Sequence, residues 1–157
     1  MKSAIKRILN KDIKQIKNNK LNDNGIYIEF DENDLLHAYA MIIGTKDTVY
    51  EYGVLYFEIF FPINYPFSPP DICYIPVNNV RIHPNLYSSN HSSGFGKVCL
   101  SILGTWFGPS WTSLMDITSV MLSIQSLLDK NPIYHEPDIN HELINVKYNK
   151  IINHENI

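Results

Sequence analysis

Along the first twenty residues Ile5, Ile8, Leu9, Ile13 and Ile16 recur at helical spacing, with Lys6, Arg7, Lys11 and Lys14 between them. This predicts an amphipathic helix over residues 4–17, ended by Asn18 and Asn19. The segments GIYIEF, LLHAYAMII and VLYFEIFF then alternate or run apolar over strand lengths, separated by turn-prone Asp31–Asp34 and the polar GTKDTVYEYG. Three such strands on short connections form an antiparallel meander. PINYPFSPP carries four prolines in nine residues, so the chain must leave the sheet there. In its aromatic-proline turn, Tyr65–Pro66 is expected to be cis. DICYIP reads as a fourth strand, and from 77 to 112 no period persists, which makes that long segment the place to look for chemistry. Ser113, three residues before Asp116, reads as the N-cap of a core helix whose inner face is Ile117, Val120, Met121, Ile124, Leu127 and Leu128. KNP ends that helix, IYHEPD turns, and residues 139–152 carry a weaker helical pattern. The expectation is a single α+β domain over 1–157: N-terminal helix, four-stranded antiparallel meander, long loop, central core helix and C-terminal helix.

Composition narrows the setting. With 157 residues, 45% of them apolar, the chain can bury roughly 70% of its unfolded surface without staples. Two cysteines, Cys73 and Cys99, with no CxxC pair and no hydrophobic leader, imply a reducing compartment, cytoplasmic or nuclear. Apolar runs such as Ile59–Pro62 are far short of the ~20 residues that span a bilayer, so no membrane partner is expected. A net charge of −3 gives no reason to expect nucleic acid. Locally, the first twenty residues hold Lys2, Lys6, Arg7, Lys11, Lys14, Lys17 and Lys20 against the single acid Asp12.

The aperiodic segment poses a chemical choice. In HPNLYSSNHSSGFGKVCL a rigid His83-Pro84-Asn85 turn precedes a polar run and then Cys99 between Val98 and Leu100. From the residues alone Cys99 is as readily a buried thiol as a nucleophile, since free cysteine is among the most buried residue types. Cys73, inside a predicted strand, fits burial better. His83 near a cysteine suggests a Cys-His hydrolase, but an imidazole that fixes the turn explains it equally, and no second histidine pairs with it in sequence.

The order of elements, with YPFSPP, HPN, a cysteine in KVCLSILGTW, a following Trp and a core helix, resembles the ubiquitin-conjugating enzyme (E2) family, whose UBC fold has this order. The resemblance runs from Lys6 to about His154, and NNVRIHPN, KVCLSILGTWFGPSW, SIQSLL and NPIYHEP are most similar to the large, atypical members that work with a non-standard activating enzyme. It implies that Cys99 accepts ubiquitin or a ubiquitin-like modifier from an activating enzyme (E1) as a thioester and passes it to a substrate lysine or a ligase (E3) cysteine. By that resemblance Asn85 donates to the oxyanion or holds the active-site loop, His83 is structural, and Glu136, before Pro137 and beside His135, is suited to desolvate or deprotonate the incoming lysine. An unperturbed thiol of pKa ~8.5 is about 3% thiolate at pH 7, enough for thioester exchange without a paired base. Lys6, Arg7, Lys11 and Lys14 are the implied E1-facing surface, and Phe67, Thr112 and Ser113 the implied ligase contact. No metal and no bound cofactor are implied, ATP being consumed by the activating enzyme. A non-catalytic scaffold of the same fold that binds ubiquitin is the alternative, disfavoured by the presence of Cys99. Asn85 and Cys99 are about six residues further apart than is usual in the family, so roughly six residues of SSNHSSGFG read as an insertion that bulges outward at little cost.

Overall fold

The structure is a computed structural model that describes residues 2–139 and 142–154. At its start, α1 (Lys2–Arg7), a π-helical turn (Ile8–Asp12) and α2 (Ile13–Asn18) follow one another with helical dihedrals at both junctions, matching the predicted basic helix. The π-turn changes which side chains face inward. Leu9 is 47% exposed although its spacing matches the apolar stripe, while Asp12 is fully buried. Asp12 Oδ1 accepts from the Tyr65 hydroxyl at 2.5 Å and from the Ile117 N–H at 3.3 Å, and its Oδ2 accepts from Arg7 Nε at 3.3 Å. Burial raises the Asp12 pKa, against those donors and the nearby guanidinium, which lower it. The lone acid of the basic helix thus joins that helix to the proline-rich turn and to the core helix.

The four expected strands are β1 (Ile26–Phe30), β2 (His37–Ile43), β3 (Val54–Phe60) and β4 (Asp71–Ile75), paired antiparallel in sequence order. Period-two alternation sends Ala38, Ala40 and Ile42 of β2, with Leu55, Phe57 and Ile59 of β3, into the core. The sheet, however, has six strands. β5 (Leu86–Asn90) and β6 (Gly96–Val98) form a hairpin that extends it in the order β1-β2-β3-β4-β6-β5, so the 77–112 segment is not wholly a loop. Three-residue β6 has no period to read, and its partner β4 lies some twenty positions back, through Cys73↔Lys97 and Tyr74↔Gly96. The polar run therefore crosses the sheet edge as a hairpin. His91 Nε2 meets Asp71 Oδ1 at 3.0 Å, and the Ser93 hydroxyl donates to Cys73 Sγ at 3.5 Å.

The Tyr65–Pro66 bond is cis, and Trp111 Nε1–H donates to the Pro66 carbonyl at 2.7 Å. The core helix α3 spans Ile117–Leu127, with Ile117, Val120, Met121 and Ile124 buried in the same apolar cluster as the inner sheet face. Its N-cap is Asp116, not Ser113: Asp116 is extended, and its Oδ1 accepts from the Ser119 N–H at 3.0 Å and the Ser119 hydroxyl at 3.1 Å. Ser113 is exposed and offers only its carbonyl, to Arg7. After the short turn Pro132–His135, α4 covers Glu142–His154 and buries Asn145 and Ile152. Residues 140 and 141, in the first part of the helix expected over 139–152, lie outside the described residues. Among the described residues no helix is long and apolar enough to cross a membrane.

Candidate active site

The His83-Pro84-Asn85 turn is fixed from both sides. Leu86 N–H donates to the His83 carbonyl at 3.0 Å, and Asn85 N–H donates to His83 Nδ1 at 2.9 Å. Just upstream, the Tyr50 hydroxyl donates to the Ile82 carbonyl at 2.8 Å and the Tyr148 hydroxyl to the Arg81 carbonyl at 2.6 Å. With Nδ1 an acceptor, His83 carries its proton on Nε2, which is buried without a hydrogen-bond partner. Burial, with His135 beside it, pushes the His83 pKa down to about 3, so the imidazole is neutral at pH 7.

Cys99 follows β6 directly, where Leu86 pairs with Val98. The structure brings Asn85 onto it. Asn85 Nδ2 donates to the Cys99 carbonyl at 2.9 Å while Cys99 N–H donates to the Asn85 carbonyl at 2.8 Å. On the other side Thr105 pins the chain: its hydroxyl donates to the Val98 carbonyl at 2.7 Å and accepts from Leu100 N–H at 2.9 Å. Cys99 is only 3% exposed, and burial raises its thiol pKa, opposed by Lys97 and Arg81 and reinforced by Glu136. The charges that act on it are thus a lysine, an arginine and a glutamate, and among the described residues no imidazole is hydrogen-bonded to its thiol: His83 Nδ1 accepts from Asn85 N–H.

The profile of ubiquitin-conjugating enzymes matches residues 8–155, nearly the whole chain. The chain belongs to the ubiquitin-conjugating enzyme family. It is 41% identical over 136 residues to the ubiquitin-conjugating enzyme E2 Z of Danio rerio, covering 83% of this chain and 40% of that protein. It is also 41% identical over 138 residues to E2 Z of Homo sapiens, covering 85% and 37% respectively. The chain thus spans about two fifths of the length of these relatives. Among solved structures, Pex4p of H. polymorpha, in complex with the soluble domain of Pex22p, superposes with a TM-score of 0.72 at 25% identity, over 99% of this chain and 96% of that one. The E2 domain of a Toxoplasma gondii ubiquitin-conjugating enzyme gives 0.64 at 25% identity, over 91% and 94%.

In this member of the family the remaining predicted residues fall into three groups. His135 and Glu136 are brought to the turn: the His83 and His135 rings lie 4.9 Å apart, His135 Nε2 meets Asp129 Oδ2 at 2.9 Å, and Glu136 Oε2 meets Arg81 Nη2 at 3.1 Å. Phe67, 77% exposed, and the exposed Thr112 and Ser113 flank the cis turn and the entry to α3, parts joined by the Trp111 bond to Pro66. The basic quartet divides. Lys6 and Lys14 are exposed, whereas Arg7 donates to the Ser113 and Met115 carbonyls and Lys11 to the Leu114 carbonyl, at 2.8–3.2 Å. Sequence reasoning missed Arg81 and Thr105, although NNVRIHPN places an arginine two residues before His83 and LGTW places a hydroxyl shortly after Cys99.

Proposed function

We propose that this chain accepts the C-terminal carboxyl of ubiquitin or a ubiquitin-like protein from an activating enzyme as a thioester on Cys99, then passes it to a substrate lysine or a ligase cysteine. The observation that carries this reading is the Asn85–Cys99 pair: a neutral amide donor fixed at 2.9 Å from the main-chain carbonyl of a cysteine to which, among the described residues, no imidazole is hydrogen-bonded, His83 Nδ1 being held by Asn85 N–H and His135 Nε2 by Asp129. A hydrolase would need a base to activate water. Thioester exchange does not, because one thiolate attacks and another leaves, with no net proton transfer. Asn85 supports the later, harder step by holding the Cys99 segment through its main-chain carbonyl while negative charge builds on the oxygen of the thioester carbonyl. Naming of the relatives as E2 Z supports assignment to the atypical members that use a non-standard activating enzyme. Exposed Lys6 and Lys14 suit the activating enzyme, and Phe67 with Thr112 and Ser113 suit a ligase. Two free cysteines suit work in the cytoplasm or nucleus.

The test is loading. With activating enzyme, ATP and ubiquitin, or a ubiquitin-like protein in parallel, the chain should form a thiol-sensitive adduct. Cys99→Ser should give a thiol-resistant oxyester, Cys99→Ala none, and Cys73→Ala should still load. A thioester on the Cys99→Ala protein would sink the assignment, and binding of ubiquitin without any adduct would leave a scaffold.

A further inference from the structure

Arg81 sits where the His-Pro-Asn turn meets the turn after α3. Its guanidinium carbon lies 4.1 Å from the centroid of the Tyr87 ring, and one of its nitrogens, Nη2, both donates to the Pro84 carbonyl and meets Glu136 Oε2 at 3.1 Å. Its Nε is buried without a partner, so the Nη2 contacts and the aromatic face set its orientation. Glu136 is held as well. Its N–H donates to the Ile133 carbonyl at 3.0 Å, and the turn it closes is packed through His135 onto His83. The backbone under Glu136 is thus fixed while its carboxylate meets Arg81, and both charges are felt at Cys99, Arg81 favouring its thiolate and Glu136 opposing it.

We propose that Arg81 is a specificity determinant of this site: by occupying Glu136 it disfavours amine acceptors relative to thiol acceptors at a Cys99 thioester. The inference rests on the reading of Cys99 as the carrier. When a lysine attacks, a C–N bond forms, the C–S bond breaks, and Cys99 leaves as thiolate. The lysine ammonium loses two protons in forming the amide; the thiolate takes one and a carboxylate or water takes the other. A carboxylate at Glu136 would draw the ammonium in and receive that proton, but here it already faces a guanidinium that repels a second cation. A thiolate acceptor forms one C–S bond as another breaks, moves no proton, and needs no carboxylate. Masking Glu136 therefore slows only amine transfer. Arg81 does this as a positioning residue, fixed on Tyr87 and Pro84 while it pairs with the acid.

The experiment is single-turnover discharge of the preformed Cys99 thioester to Nα-acetyl-lysine and, separately, to N-acetylcysteine. Arg81→Gln should raise the lysine-to-thiol rate ratio roughly two- to fivefold, the scale of one partly exposed ion pair. Arg81→Lys, which keeps the charge, should hold the ratio near that of the unaltered protein. Glu136→Gln should lower it, and adding Arg81→Gln to Glu136→Gln should give no gain. An unchanged or falling ratio in Arg81→Gln overturns the proposal, as does a gain that persists without Glu136. Should Arg81→Gln unfold, Arg81→Met keeps the stem on Tyr87 and carries the same expectation; unfolding of both would make Arg81 a structural prop and overturn it too. Failure of the unaltered chain to load at all is a different result, and contradicts the carrier reading instead.

Discussion

Asn85 and Cys99 are bonded to each other twice, side-chain amide to carbonyl at 2.9 Å and N–H to carbonyl at 2.8 Å, across a hairpin that separates them by 14 positions. Because Asn85 is 5% exposed and its Oδ1 has no partner, the amide acts here as a donor. Asn85→Ala should slow amide formation by ~10²-fold, the scale of one lost oxyanion donor, while loading from the activating enzyme falls much less. Asn85→Asp keeps the shape but turns a carboxylate oxygen toward the Cys99 carbonyl, and should not rescue. Equal loss in loading and discharge would mean that the pair only holds the fold.

His83 makes the fold acid-sensitive. Its folded pKa of about 3 lies below the ordinary value of 6.5, so between those values the unfolded chain binds the extra proton. The stability it contributes is complete above about pH 6.5 and is lost as pH falls toward 3, at up to ~1.4 kcal/mol per pH unit. Denaturant melts at pH 7 and pH 4.5 should differ by a few kcal/mol, and His83→Asn should flatten that difference even if it lowers stability at pH 7. A difference that survives in His83→Asn would assign the acid sensitivity to other groups.

The division of the basic quartet predicts a division of effects. Arg7 is 16% exposed at its side chain and satisfies Asp12 and two carbonyls ahead of α3, so Arg7→Ala should cost ~1.5–3 kcal/mol of stability, as for hydrogen bonds to charged groups. Lys6→Ala and Lys14→Ala, on exposed side chains, should stay within ~0.5 kcal/mol. In loading the order should reverse: the two lysine variants should slow encounter with the activating enzyme most, and most at low salt. Lysine variants that load normally at every ionic strength would remove this helix face from the encounter.

What was legible in the sequence follows the range of the forces involved. β2, β3 and α3 were readable because each repeats its burial over seven or more residues, with Ala38, Ala40 and Ile42 or Val120, Met121 and Ile124 alone defining the face. The π-turn was not, because what marks it is Asp12 turned inward toward Tyr65 and Ile117, partners 53 and 105 positions away. Ser113 was mistaken for the cap because Ser113 to Asp116 imitates the spacing of Asp116 to Ser119, which is the bonded one. At the site, the residues alone left Cys99 undecided and the family resemblance singled it out. Arg81 escaped both, since its partners Tyr87, Pro84 and Glu136 converge only when the hairpin and the turn after α3 are in place.

The hairpin before Cys99 offers a last separation, between the residues that add to the sheet and those that aim the thiol. Gly96 lies so close to the Tyr87 backbone that an added Cβ would come within 1.7 Å of the Tyr87 carbonyl oxygen, so Gly96→Ala must move one strand off the other. Tyr87 carries the guanidinium of Arg81, and Leu86 pairs with Val98 one residue before Cys99, so that displacement reaches the site directly. Gly94, unlike Gly96, has positive φ, at 88°, but an added Cβ there would meet nothing within 4 Å. Gly94→Ala should therefore cost about 1 kcal/mol from backbone strain alone and leave loading intact, whereas Gly96→Ala should lower both stability and Cys99 loading. Shortening Ser88–Ser93 removes the outer part of β5 with its Asn90–Gly96 pair, and the ties of His91 to Asp71 and of Ser93 to Cys73, but keeps the Leu86–Val98 pair beside Cys99, and should cost more stability than Gly94→Ala while leaving loading intact. If the shortened chain instead fails to load, as Gly96→Ala should, then the tip of the hairpin is part of what aims Cys99, and the inserted residues belong to the active site itself.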